Sequence, residues 1–358
     1  TEIKYSSEEF NAEDFYPDDP VVITISHLGY IKRTALTEFR EQSRGGVGSK
    51  GAHTRDEDFT EYIYPATMHN TLLFFTQKGR CYWLKCYEIP EGAKNSKGRA
   101  IQNLLNIEAD DAINAVLRIK NLNDKEFVDS HYVVFATKNG IIKKTCLEAY
   151  SRPRANGVNA INILEGDQVV GVRLTNGHNE LLLANRNGRA IRFNEAELRP
   201  MGRVSTGVRG MRLDGGDDEV VGLVCVNDPQ TETIMVVSEN GYGKRSDVDD
   251  YRKTARGAKG VKTISITEKT GRLVAIKVVT DENDLMIINK SGILIRMKVA
   301  DVRVMGRATQ GVRLINLTKK NDVIASVCKV MTETEEEPET IVDPDESPNV
   351  ENTENTEN

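Results

Sequence analysis

The sequence predicts an all-β protein built as a propeller-like array of six four-stranded blades, and three observations predict it. A glycine turn between an apolar strand and a short basic strand recurs six times, at Gly29, Gly79, Gly140, Gly188, Gly241 and Gly292, spaced by 48 to 61 residues. A second glycine follows each turn, at Gly51, Gly98, Gly157, Gly207, Gly260 and Gly311, usually 19 residues later. A further alternating apolar strand then closes most repeats. Periods near 50 residues with four strands each mean radial closure, which protects sheet edges by repetition.

The first two strands of each repeat read as a hairpin: TISHLGYIKR, FFTQKGRCYW, FATKNGIIKK, LANRNGRAIR, VSENGYGKRS and INKSGILIRM. Tight hairpin turns need positive φ, which glycine adopts without steric penalty. The second glycine introduces a third strand, and AINAVLRI, QVVGVRL, EVVGLVCV, LVAIKVV and VIASVCKV read as the fourth. No WD dipeptide occurs and GH stands only once, at Gly177 and His178, so the repeat is not of the WD40 type. Three regions follow: an acidic segment 1–20, the bladed body 21–331, and a tail 332–358 whose acidic, weakly apolar composition predicts disorder.

The formal net charge of -6 hides a segregation. Thr1 to Pro20 carries 7 acidic residues and one lysine, and the tail from Thr332 carries 11 acidic residues and no basic one. The body is left with 47 basic against 36 acidic residues, about +11. A basic body points to a polyanionic partner, and an acidic tail points to a competitor for the same surface.

Enzyme chemistry finds little support. GVGSKG (Gly46 to Gly51) matches G-x-G-x-x-G, but AHTRDEDF and another strand follow where a dinucleotide fold needs a helix. No Walker, HExxH or GxSxG motif occurs. The histidines His27, His53, His69, His131 and His178 lack metal spacing, so no metal and no cofactor is expected in this chain. Cys81, Cys86, Cys146, Cys225 and Cys328 lie in apolar strands without CxxC spacing and read as free thiols. The longest apolar run, Val220 to Val226, is too short to cross a bilayer, and no signal segment opens the chain, so a cytoplasmic location without membrane contact is expected.

HLGYIKRTALTEFREQSRGGVGSKGAHTRDEDF (His27 to Phe59) resembles the first blade of the C-terminal domain of DNA gyrase A proteins, which are type IIA topoisomerases. The signature heptapeptide of that family, the GyrA box, maps to Gln42, Ser43, Arg44, Gly45, Gly46, Val47 and Gly48, with Ser43 and Val47 standing at two normally basic positions. The resemblance covers all six repeats and the tail. It implies a six-bladed β-pinwheel with strands exchanged between blades. It also implies that the box loop latches the first blade to the last, and that a basic rim bends duplex DNA for ATP-dependent negative supercoiling. The partners implied are double-stranded DNA, the N-terminal part of the gyrase A protein and the gyrase B protein, in an A2B2 complex. The intact enzyme would need ATP and Mg; this chain, without the catalytic tyrosine, would be non-catalytic and monomeric alone. The matching C-terminal domain of topoisomerase IV is the neighbouring alternative, and a propeller scaffold for protein partners the alternative of another class.

The candidate DNA contacts are the cations that recur beside the two glycines. After the turn glycines stand Lys32 and Arg33, Lys85, Lys143 and Lys144, Arg192, Lys244 and Arg245, and Arg296. Around the second glycines stand Arg44, Lys50 and Arg55; Lys97 and Arg99; Arg152 and Arg154; Arg203 and Arg209; Lys253, Arg256 and Lys259; and Arg303 and Arg307. Arg313 belongs to the same set. Equivalent positions in equivalent blades fall on one circumference. With few exposed aromatics among them, phosphate contacts on a duplex fit better than stacking on single strands.

Overall fold

The computed structural model describes residues 12–26, 28–38, 49–50, 60–291, 293–317 and 322–331. Their strands form six four-stranded antiparallel sheets, one per repeat. In each sheet a hairpin forms the middle. The six hairpins are Pro20–Ser26 with Tyr30–Ala35, Thr71–Thr76 with Arg80–Lys85, Tyr132–Thr137 with Ile141–Cys146, Glu180–Asn185 with Arg189–Asn194, Thr233–Ser238 with Tyr242–Asp247, and Asn283–Asn289 with Ile293–Lys298. The inner strands, Thr60–Thr67, Ile113–Ile119, Val169–Thr175, Val220–Val226, Leu273–Val279 and Ile324–Met331, pair with the first strand of each hairpin.

The outermost strand comes from the next repeat. Arg99–Ala100, after the second hairpin, pairs with Tyr30 and Ile31 of the first blade. Val158–Asn159, Val208–Arg209, Val261–Lys262 and Val312–Arg313 do the same for blades two to five. Ser49–Lys50, from the first repeat, closes the cycle by pairing with Ile293 and Leu294 of the sixth blade. Each exchanged strand is only two residues long, shorter than its alternating sequence predicts.

Burial explains why the hairpins hold. Strands such as Thr71–Thr76 are buried on both faces, because the cores sit between blades rather than within them. Phe75 of the second blade meets Phe135 of the third edge to face at 5.1 Å, with Tyr150 beside both. Similar clusters fill the other interfaces. One α-helix, Lys125–Ser130, lies between the second and third hairpins, its N-terminus capped by the Asp124 side chain. Six residues are too few to show helical periodicity in sequence. Part of the acidic segment 1–20 packs on the body: Tyr16 stacks on Tyr87 at 4.9 Å and Glu13 pairs with Lys85. Cys81, Cys86, Cys146 and Cys225 are free thiols. Among the described residues no helix is long and apolar enough to cross a membrane, and no cluster of metal-ligating side chains occurs.

Candidate nucleic-acid interface

The exchanged strands build the outer edge. In each, the residue opposite the position after the turn glycine falls at one register point: Ala100, Asn159, Arg209, Lys262, Arg313 and Lys50. Four of these six are cationic, so equivalent blades present positive charge at equivalent edges. Arg209, Lys262 and Arg313 are exposed. The loops entering these strands add Arg152, Arg154, Arg252, Lys253, Lys259 and Arg303, all exposed. Arg203, Arg256 and Arg307 stand four residues before their glycines and staple neighbouring blades. Each donates to a carbonyl on the preceding exchanged strand: Asn159 at 3.3 Å, Arg209 at 3.1 Å and Lys262 at 2.8 Å.

A second cationic series lies inside. The residue three after the turn glycine is Lys32, Lys143 or Lys244, and each ammonium binds the incoming loop of the next repeat. Lys32 donates to the carbonyls of Ala93 (3.0 Å), Lys94 and Ser96 (2.8 Å). Lys143 donates to Ala160 (2.6 Å) and Arg203, and Lys244 to Gly306 (2.9 Å). Burial pushes Lys32 down to about 8 and Lys143 and Lys244 to about 7, since an enclosed ammonium loses hydration.

The residue four after the glycine caps the following short helical turn. Arg33 donates to the carbonyls of Tyr87 and Ile89, Lys144 to Glu195, Arg192 to Val248 and Tyr251, and Arg245 to Val299. Carboxylates neutralise the series: Lys144 meets Glu195 at 3.1 Å, Arg192 meets Glu180 at 2.5 Å, and Arg296 meets Asp284 at 2.9 Å. Two like cations in adjacent positions thus serve two different joints between blades.

Comparison with known proteins fits this frame. Residues 20–66, 70–120, 131–176, 179–227, 232–280 and 283–328 match a family described as the DNA gyrase C-terminal domain, a β-propeller. The chain belongs to that family. It is 44% identical over 340 residues to the DNA gyrase A protein of Staphylococcus aureus strain MRSA252, covering 95% of this chain and 38% of that protein. The same protein from strain NCTC 8325 is 44% identical over 338 residues, covering 94% and 37%. The chain therefore spans well under half the length of these curated relatives. A solved DNA gyrase A C-terminal domain shares the fold, with a TM-score of 0.78 and 24% identity over 87% of this chain and all of that one. A solved topoisomerase IV C-terminal domain aligns with a TM-score of 0.66 and 28% identity, over 88% and 94%.

Within the gyrase C-terminal architecture the predicted contacts separate. Lys32, Lys143, Lys144, Arg192, Lys244, Arg245 and Arg296 are 7% exposed or less, so as phosphate contacts they are corrected. They are buried between blades, and most of their donors go to carbonyls and carboxylates. Arg33 is half-buried in the same role, Lys85 is held by Glu13, and Lys97 lies over the Tyr30 ring at 3.7 Å. Arg99, Arg152, Arg154, Arg209, Lys253, Lys259 and Arg303 are exposed, while Arg203, Arg256 and Arg307 are half-buried staples. Gln42 to Gly48, including Arg44, and Arg55 lie outside the described residues; Lys50 is described through its backbone pairing. Sequence reasoning missed Lys262. Its offset of two from Gly260, the same as Arg209 from Gly207 and Arg313 from Gly311, was the signal available.

Proposed function

We propose that this chain is the DNA-wrapping domain of a DNA gyrase A protein. Duplex DNA would run along the outer edge, its phosphates met by the exchanged strands and the loops that enter them. The observation that carries this reading is the repeated register position occupied by Lys50, Arg209, Lys262 and Arg313. A cation at the same edge of successive blades presents charge at intervals around a curve. Such contacts read phosphate rather than base, so affinity would be weakly sequence-specific and fall steeply with salt. Smooth bending costs roughly 1–6 kcal/mol per 20–30 base pairs, and repeated contacts offset it.

In the intact cytoplasmic A2B2 enzyme the wrap would present a crossover for strand passage powered by ATP with Mg, and the chemistry would reside outside this chain. The acidic tail would compete with DNA for the rim. A topoisomerase IV domain is the nearest other reading, and the higher identity to gyrase A proteins favours gyrase. The test is the triple variant Arg209→Ala, Lys262→Ala, Arg313→Ala. Its log affinity against log salt should flatten by about 0.9 per lost contact, with thermal stability retained. An unchanged slope removes the exchanged strands from the interface.

A further inference from the structure

The six inner strands surround a central channel of about 960 Å³. Among the described residues its wall carries five cations, Arg118, Arg173, Arg186, Lys277 and Lys329, against two carboxylates, Glu219 and Glu239. Those carboxylates are already engaged. Glu219 lies 3.1 Å from Lys138 and 3.8 Å from Arg186, and Glu239 accepts the Arg272 backbone N–H at 3.0 Å. Arg118, Arg173 and Lys329 form no ion pair among the described residues.

Arg173 is the most constrained of the three. Val134, its neighbour across the sheet, is fully buried, yet Arg173 itself stays open to the channel. Among the described residues the guanidinium makes one hydrogen bond, to the Val172 carbonyl at 2.7 Å. Most of its five donors are therefore without a hydrogen bond among the described residues. Lys329 stands opposite buried Leu285 on the sixth blade. Loss of hydration lowers the basicity of both groups, although the Lys329 side chain is exposed over much of its surface; at Lys329, Glu232 opposes the shift and the charge of Arg173 reinforces it. Two cations with spare donors lining one channel favour a counter-charge there.

We propose that the central channel is an anion site in which Arg173 and Lys329 hold a phosphate-class oxyanion. A guanidinium matches the oxygens of such a group bidentately and an ammonium adds a point charge. The volume exceeds that of a single phosphate and accommodates a short polyphosphate chain. A duplex does not fit there, so this site is separate from the outer edge and does not rest on the DNA reading.

Isothermal titration with inorganic phosphate, pyrophosphate and ATP tests it, at low ionic strength in chloride buffer. Wild type should bind one equivalent saturably. The variants Arg173→Gln and Lys329→Gln should each weaken binding by about tenfold, the scale of one charge-assisted hydrogen bond. The edge variant Arg209→Ala, Arg313→Ala should bind as wild type does. Pyrophosphate should also raise the wild-type melting temperature and raise that of Arg173→Gln less at the same concentration. Lys329→Gln guards against a folding defect at position 173, and equal melting temperatures without anion show that each variant is folded. Preference for ATP over pyrophosphate would identify a nucleotide tail as the source, and equal binding a free oxyanion. Absence of saturable binding to wild type, or its loss in the edge variant, overturns the proposal.

Discussion

Lys244 illustrates how a single cation is used in this molecule. Its ammonium sits between the Gly306 carbonyl at 2.9 Å and the Ser246 hydroxyl at 3.1 Å, with the side chain fully buried. Burial is the main reason its pKa falls to about 7; Asp250 opposes the shift and Arg307 adds to it. An unfolded lysine titrates near 10.4. Between about pH 7 and 10.4 the unfolded chain therefore holds more protons, so the stability contributed here rises with pH across that window and is flat below it. Ile191 occupies the equivalent place in the fourth blade, so Lys244→Ile is a substitution the architecture already accommodates. The variant should lose this slope. Urea midpoints at pH 7 and 9 should show wild type gaining on it by up to about 1.4 kcal/mol per pH unit; equal slopes would mean that Lys244 does not titrate there. The position was hard to read from sequence because its acceptors are backbone carbonyls from a distant loop, which leave no residue signature. The apolar Ile191, Tyr82 and Ile295 at the same offset were the legible hint that it is internal.

At the scale of elements, the exchanged strand depends on the glycine before it. Gly260 has φ +79, and a Cβ there would lie 2.4 Å from the Ala190 carbonyl, against which Val261–Lys262 docks. Backbone occupies that space, so no side-chain rotation relieves the clash. Gly260→Ala should detach the strand, with a penalty above the 1–2 kcal/mol of a left-handed non-glycine residue alone. Hydrogen exchange read by mass spectrometry should show faster exchange across Arg189–Asn194 and Val261–Lys262, while the second blade keeps its protection. Unchanged protection in the fourth blade would show that the exchanged strand does not depend on this glycine. Both glycine series were legible because the demand for positive φ is local. The sheet to which the second strand belongs was not: pairing between repeats is a long-range choice that a two-residue segment cannot encode, and only the family resemblance implied it. For the same reason Lys262 was passed over, since its place on the edge follows from the partner strand rather than from its neighbours in sequence.

The seam between the sixth blade and the first differs, among the described residues, from the other five blade interfaces. Among the described residues, the buried apolar cluster joining the sixth blade to the first consists of Val22, Ile63, Met286 and Ile288. The interface between the fourth and fifth blades, by contrast, buries thirteen apolar residues, including Tyr251 and Leu273. The seam is reinforced by the pairing of Ser49–Lys50 with Ile293 and Leu294 and by contact between the inner strands of the two blades. In sequence that strand follows directly on the glycine-rich heptapeptide, in the repeat whose two glycines stand 22 residues apart. Charge does not reinforce it in the same way, because the buried cations are held by backbone carbonyls or by carboxylates such as Glu195, Glu180 and Asp284. On the proposed wrapping function, opening the seam should disturb the path of a bound duplex more than its attraction to the protein. Replacing Ser49 and Lys50 with proline removes the backbone donors of this ladder. Wild type is expected on that reading to shift topoisomers when nicked circles are ligated on it, and the variant should lose most of that shift. Its affinity in a gel-shift titration should fall only by the share of one edge cation, a few-fold at low salt. A variant that shifts topoisomers as wild type does would show that closure through this strand plays no part in wrapping.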